Sequence, residues 1–107
     1  MNKSKRIGTD FEVKCVAFLK EHGFDAERRA QAGRLDKGDI RFDPYIAECK
    51  ATQAIALAEG MNELESEIAN AGVNFGFLLI KRRRKSIGDA YAVMSLRQLV
   101  ALLKEVK

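Results

Sequence analysis

Residues 38–50, GDIRFDPYIAECK, set three ionisable side chains, Asp39, Glu48 and Lys50, among two apolar-rich runs that flank an Asp43-Pro44 turn. Strand side chains alternate faces with period two, so Glu48 and Lys50 share a face. A two-residue turn at Asp43-Pro44 places Asp39 directly opposite Glu48, about 5 Å away. A turn centred on Pro44-Tyr45 places it opposite Lys50 instead. Either register keeps all three on one face, whereas a three-residue loop separates them. Two opposed carboxylates repel unless a cation lies between them, and their hard oxygens suit Mg2+ or Mn2+. Such an ion polarises a phosphoryl oxygen and acidifies water, while a neighbouring ammonium stabilises developing charge or orients that water. The chemistry is phosphodiester hydrolysis. On an exposed ribbon the same charges would be solvated ion pairs of little weight. Ile40, Phe42, Ile46 and Cys49 interleave with them and favour a buried sheet with a task.

The flanking sequence supplies elements to position these groups. TDFEVKCVAFLKEHG predicts a first helix, with Thr9 as N-cap, Glu12 three residues later as in a capping box, and Gly23 as the stop. Phe11, Cys15, Phe18, Leu19 and His22 recur at helical spacing. FDAERRAQ reads as a strand ending near Gly33, and GDIRF with YIAECKA as a hairpin. Leu57, Met61, Leu64, Ile68 and Ala71 form one stripe of an amphipathic helix that Gly72 ends. VNFGFLLI is a short apolar run, as in a strand buried on both faces. A basic loop, KRRRKSIGD, leads to a strand in AYAVM, and Ser95 with Gln98 opens a last helix through Val106. The order is α-β-β-β-α-β-β-α, an α/β chain of the α+β kind with a mixed sheet and helices on its faces.

With 107 residues the chain is one domain, residues 1–107, headed by a basic arm at residues 1–8. A core this small leaves little margin, so dimerisation is a natural supplement. The net charge is +4, yet Ile55–Ala71 carries four glutamates and no basic residue, leaving +8 on the rest. A basic body suits an anionic polymer. Cys15, Cys49 and the lone His22 lack zinc-ligand spacing, and both thiols read as small buried hydrophobes of a reducing compartment. Neither a secretory signal nor a membrane span is expected, and the cytoplasm is the default location.

GD at 38–39, ECK at 48–50 and Glu12 on the preceding helix, in this order of elements, resemble the PD-(D/E)XK nuclease superfamily and its restriction-endonuclease-like core. The opening KRIGTDFEVKCVAFLKEHGF is similar to Holliday junction resolvases of archaeal and phage type. The resemblance spans roughly residues 5–80 and implies a Mg2+-dependent DNA endonuclease of recombination, with Mn2+ able to substitute. Asp39 and Glu48 would be metal ligands, with the Cys49 carbonyl a third. Lys50 would assist the attacking water. Glu12 is either the fourth catalytic group or the capping-box partner of Thr9. Asp36, in the loop QAGRLDKGD, is passed over for Asp39, which enters the strand. That loop lacks the serine many resolvases carry there. Gln53 is read as a turn or cap residue. A four-way junction needs two sites, which implies a homodimer joined through the acidic helix or the last one. A nicking, repair or restriction-like duplex nuclease would share these residues. A non-catalytic DNA-binding module of the same fold, or a domain using the acidic helix for protein contacts, are the remaining alternatives.

DNA contacts are expected on three sides of the hairpin. Lys3, Lys5 and Arg6 precede Glu12; Arg28, Arg29, Arg34 and Lys37 approach Asp39; Lys81, Arg82, Arg83, Arg84 and Lys85 leave the buried strand. Such contacts neutralise phosphates, depend on salt and ignore base sequence. The phenylalanines follow core patterns, so duplex or branched DNA fits better than a single strand.

Overall fold

Asn2 begins the first helix: its Oδ1 accepts the Lys5 N–H at 2.8 Å, and α1 runs Lys3–Glu21. The expected start at Thr9 is therefore corrected, and residues 3–8 of the expected basic arm belong to the helix. Nothing between Asn2 and Glu21 interrupts helix except Gly8, whose cost of about 1 kcal/mol a long helix absorbs. In the computed structural model, which describes residues 2–30, 35–52 and 54–106, α1 is followed by β1 (Glu27–Arg28), β2 (Ile40–Phe42), β3 (Tyr45–Lys50), α2 (Leu57–Ala71), β4 (Phe75–Ile80), β5 (Tyr91–Val93) and α3 (Leu96–Glu105). Arg34 and Gln53 lie outside the described residues.

The strands form one mixed sheet in the order β1-β2-β3-β4-β5, antiparallel throughout except for the parallel pair β3/β4 that α2 connects. Together with the three helices it makes an α+β domain. Among the described residues Glu27 and Arg28 pair with β2, and both are exposed; Gly33, near which the strand was expected to end, lies outside the described residues.

Period-two alternation divides the core between the two faces of the sheet. Ala47 and Cys49 of β3 and Phe77 and Leu79 of β4 meet Phe11 and Cys15 of α1. Ile46 of β3 and Leu78 and Ile80 of β4 meet Leu64 and Ile68 of α2. Glu48 and Lys50 follow Ile46 in the same alternation, so they belong to the α2 face. Both cysteines are free thiols. Gly76 brings β4 against α2: an added Cβ would lie 2.7 Å from Ile68 Cγ1 and 3.1 Å from Ile46 Cγ1. Gly76→Ala is expected to cost roughly 1–3 kcal/mol by overpacking, read as a lowered midpoint in urea. An unchanged midpoint would contradict this packing.

α3 is capped by Ser95, whose Oγ accepts the Gln98 N–H at 3.2 Å. Its Gln98 ties it to the start of β4, accepting from Gly76 N–H and donating to the Asn74 carbonyl. The helix contributes no buried residue and leaves Leu96, Leu99, Val100 and Leu103 exposed. Among the described residues, no helix is long and apolar enough to cross a membrane.

Candidate metal centre

The hairpin turns on Asp43 and Pro44, whose peptide bond is cis, and pairs Ile40 with Ala47 and Phe42 with Tyr45. This is the register of the two-residue turn; the one centred on Pro44-Tyr45 is excluded. The ladder ends one pair early, however. Asp39 donates its N–H to the Ala47 carbonyl at 2.9 Å, and Ala47 is already the partner of Ile40. Asp39 therefore steps out of β2 instead of sitting squarely opposite Glu48. Its Oδ2 accepts the Cys49 N–H at 2.8 Å, taking the place of a strand carbonyl. Gly38 makes this close approach possible. Its φ is +97°, and a Cβ there would lie 3.2 Å from the Ala47 carbonyl oxygen.

Glu48 and Lys50 of β3 and Glu63 and Glu67 of α2 form an acidic cluster beside Asp39. Glu48 is 7% exposed and Glu67, from α2, only 2%. Lys50 Nζ lies 3.6 Å from Glu48 Oε2 and 3.1 Å from Glu63 Oε2. The Oε1 atoms of Glu48 and Glu67 are buried without a hydrogen-bond partner among the described residues. Burial, then the charges of Asp39 and Glu67, push Glu48 up to about 9. Burial and a hydrogen bond with Asp36 push Glu67 up to about 8. Burial pulls the Lys50 ammonium down, but Glu63 and Glu48 more than offset it and hold it above its ordinary value. Lys50 is therefore a cation at neutral pH, suited to stabilising charge and not to accepting a proton.

Glu12 lies deep within α1, so the capping-box reading falls. Its Oε1 accepts from Arg28 Nε at 3.1 Å. Burial and the Asp39 charge raise its pKa against the pull of Arg28. It thus approaches Asp39 from α1, while Glu48 and Lys50 approach from the other face. In a strand a residue's N–H and C=O point to the same side. Because the Cys49 N–H reaches Asp39, the Cys49 carbonyl also faces the Asp39 side.

Three pocket residues went unrecognised in the sequence. Glu63 and Glu67 enter the sequence argument only as charges of the acidic helix, and Asp36 is passed over there. The signal for Glu67 was positional: Gly60, Leu64, Glu67 and Ala71 follow helical spacing, and the first three are buried. Asp36, Glu48 and Glu67 each present an oxygen within 4.8 Å of the others.

The basic residues divide into two groups. Lys3, Lys5, Arg6, Lys37, Lys81, Arg83, Arg84 and Lys85 are exposed. Lys3, Lys81 and Arg83 line a groove of about 410 Å³ with Ile7 and Thr52, and Lys3, Gly8 and Lys50 line an adjoining one of about 510 Å³. Arg29 and Arg82, also expected on DNA, tie their guanidinium groups to backbone carbonyls. Arg29 donates to Lys37 at 2.9 Å, and Arg82 donates to Asp89 at 3.2 Å while stacking 4.9 Å over Tyr91. The chain shows no match to a protein-family model, a curated protein or a solved structure.

Proposed function

We propose that this protein is a Mg2+-dependent DNA endonuclease of the PD-(D/E)XK type, similar to Holliday junction resolvases, with Mn2+ able to substitute. One observation carries the reading: Glu48, beside Asp39, holds a buried carboxylate oxygen with no hydrogen-bond partner among the described residues, with the Lys50 ammonium 3.6 Å from its other oxygen. An orphaned buried acid oxygen in an all-oxygen pocket fits a hard divalent cation. Asp39, Glu48 and the Cys49 carbonyl would hold it. When bound, Mg2+ supplies Lewis acidity toward a phosphoryl oxygen and the attacking water.

The chain's own groups do the rest. Lys50, steadied by Glu63, is placed to orient the water and to offset the negative charge that grows at phosphorus. Glu12 adds a carboxylate on the α1 side of Asp39. The element order from α1 to β4, and the sheet that presents Asp39 at a strand end, support the restriction-endonuclease-like core. The groove rimmed by Lys3, Lys81 and Arg83 opens toward Lys50, as phosphates flanking a scissile bond require. Among the described residues one chain carries one such acidic cluster and a four-way junction offers two scissile strands, so the reading takes a homodimer. The exposed apolar stripe of α3 supports two copies.

A labelled four-way junction and linear duplexes of the same arm sequences, incubated with Mg2+ over a range of salt, test the substrate. Paired nicks in the junction at protein concentrations that leave the duplex intact are expected, with binding weakened as salt rises. Equal cutting of both would assign the site to an ordinary duplex nuclease.

A further inference from the structure

On the α1 side of the sheet, apart from the acidic cluster, a cavity of about 300 Å³ opens between α1 and the basic loop that follows β4. Lys14 of α1 and Lys81 and Lys85 of the loop line it, and Phe11, Ile87 and Ala90 supply its apolar wall. None of these lysines joins an ion pair among the described residues. Asp10 is the one acid in the lining and Arg82 adds a fourth cation, which leaves a net charge of +3 there. Ammonium groups gathered without counter-charge repel one another, and an anion between them relieves the repulsion.

The loop holds a defined shape. Arg82 donates to the Asp89 carbonyl and stacks over Tyr91. The Ser86 hydroxyl donates to Asp89 Oδ2 at 3.1 Å, and the Asp89 N–H returns to the Ser86 carbonyl at 2.9 Å. Gly88 seats the loop on α1, where an added Cβ would lie 3.1 Å from the Phe18 ring. Arg84 takes φ +60°, a left-handed conformation that side chains rarely adopt. A loop already ordered spares a ligand the cost of ordering it.

A bare phosphate would meet the lysines and leave the apolar wall uncovered. A ligand that satisfies both carries an anionic group and a flat apolar body, in a volume at the small end of ligand pockets, roughly 300–1,000 Å³. A nucleotide unit has this form. Lys81 also lines the groove that Lys3 and Arg83 rim, and its N–H donates to the Lys50 carbonyl at 3.0 Å. The cavity therefore adjoins the proposed path of DNA, from which an unpaired or branch-point nucleotide leaves its stack at least cost. We infer that this cavity binds one nucleotide unit, with its phosphate among Lys14, Lys81 and Lys85 and its base against Phe11, Ile87 and Ala90. The nuclease reading enters only in the source of that nucleotide, a DNA strand passing Lys81; a free mononucleotide presents the same chemistry.

Titration of the metal-free protein with dAMP and with inorganic phosphate, followed by nuclear magnetic resonance shifts and calorimetry, reads the cavity without any cleavage. dAMP is expected to bind at least roughly tenfold more tightly than phosphate, through contact of its base with the apolar wall. Lys14→Ala and Lys85→Ala, both at exposed positions, are each expected to weaken dAMP by roughly fivefold or more. Lys104→Ala removes the same charge from α3 and is expected to leave dAMP binding unchanged. No binding of dAMP at millimolar concentration, equal affinity for dAMP and phosphate, or an equal loss in Lys104→Ala would overturn the inference. Fluorescence of an unpaired 2-aminopurine nucleotide within a duplex separates the sources. A change on adding wild type that the Lys14→Ala, Lys85→Ala double variant abolishes assigns the cavity to a nucleotide of DNA. No change, with dAMP still bound, upholds the cavity as a site for free mononucleotides. dAMP binding with the expected variant pattern but no cleavage of any DNA would uphold the cavity and sink the nuclease reading, and cleavage without dAMP binding would do the reverse.

Discussion

Replacing Glu48 with glutamine is expected to abolish the proposed Mg2+-dependent cleavage and to raise the stability of the metal-free protein. Both effects arise from one buried oxygen. In the proposed reading Glu48 is a metal ligand, and its loss is expected to cut cleavage by at least roughly 100-fold, since even outer-shell changes cost 10–100-fold in metal affinity. Without metal, the same carboxyl faces Asp39 and Glu67 in a site that disfavours charge. The isosteric amide removes that repulsion and can donate to a neighbouring carboxylate. Each kcal/mol recovered appears as roughly 4–8 °C in Tm for a domain of this size. Retained cleavage, or a metal-free Tm below that of wild type, would contradict the pocket's assignment.

Metal-free wild type is expected to lose stability as pH rises, opposite to most proteins with paired carboxylates. Glu48 and Glu67 titrate near 9 and 8 in the fold, against an ordinary value of 4.5. Between pH 4.5 and these values the folded chain holds protons that the unfolded chain has released. Stability is therefore highest below pH 4.5 for these two groups and falls through pH 8–9, by at most about 1.4 kcal/mol per pH unit for each. A divalent cation in the proposed site would replace those protons, so the gain in Tm on adding Mg2+ is expected to grow from pH 6 to pH 8.5. Thermal melts of wild type and Glu48→Gln, with and without Mg2+, isolate the effect from the other titrating groups. A metal-free Tm difference between them that does not change with pH would show that the acids are not held neutral by burial.

The hairpin was legible because period two puts Glu48 and Lys50 together and either two-residue turn keeps Asp39 on their face; the choice between those registers comes from the fold. Asp39's departure from the ladder was not, because it depends on Gly38 approaching Ala47 across the strands. The helix-one start was misread because Thr9 and Glu12 make a plausible local cap. Asn2 offers an equally good one, and the longer helix is free to extend over the sheet. Glu67 was missed because it was read by its charge, whereas its place between Leu64 and Ile68 decides its burial. The basic tract from Lys81 was legible as a surface. The use of Arg82 within it was not, since Tyr91 and Asp89 return to it only in three dimensions. α2 shows the same limit. Its apolar stripe predicted the packing, but only the fold turns Glu63 and Glu67 toward Lys50 and Glu48.

Strand scission of a labelled four-way junction by wild type and Asp39→Asn, each with Mg2+ or EDTA, tests the central claim most directly. Cuts are expected only with wild type and Mg2+, while the variant still shifts the junction in a gel. Cutting by wild type in EDTA, or equal cutting by both proteins, would show that the acids gathered at the end of β2 and β3 do not hold a catalytic ion.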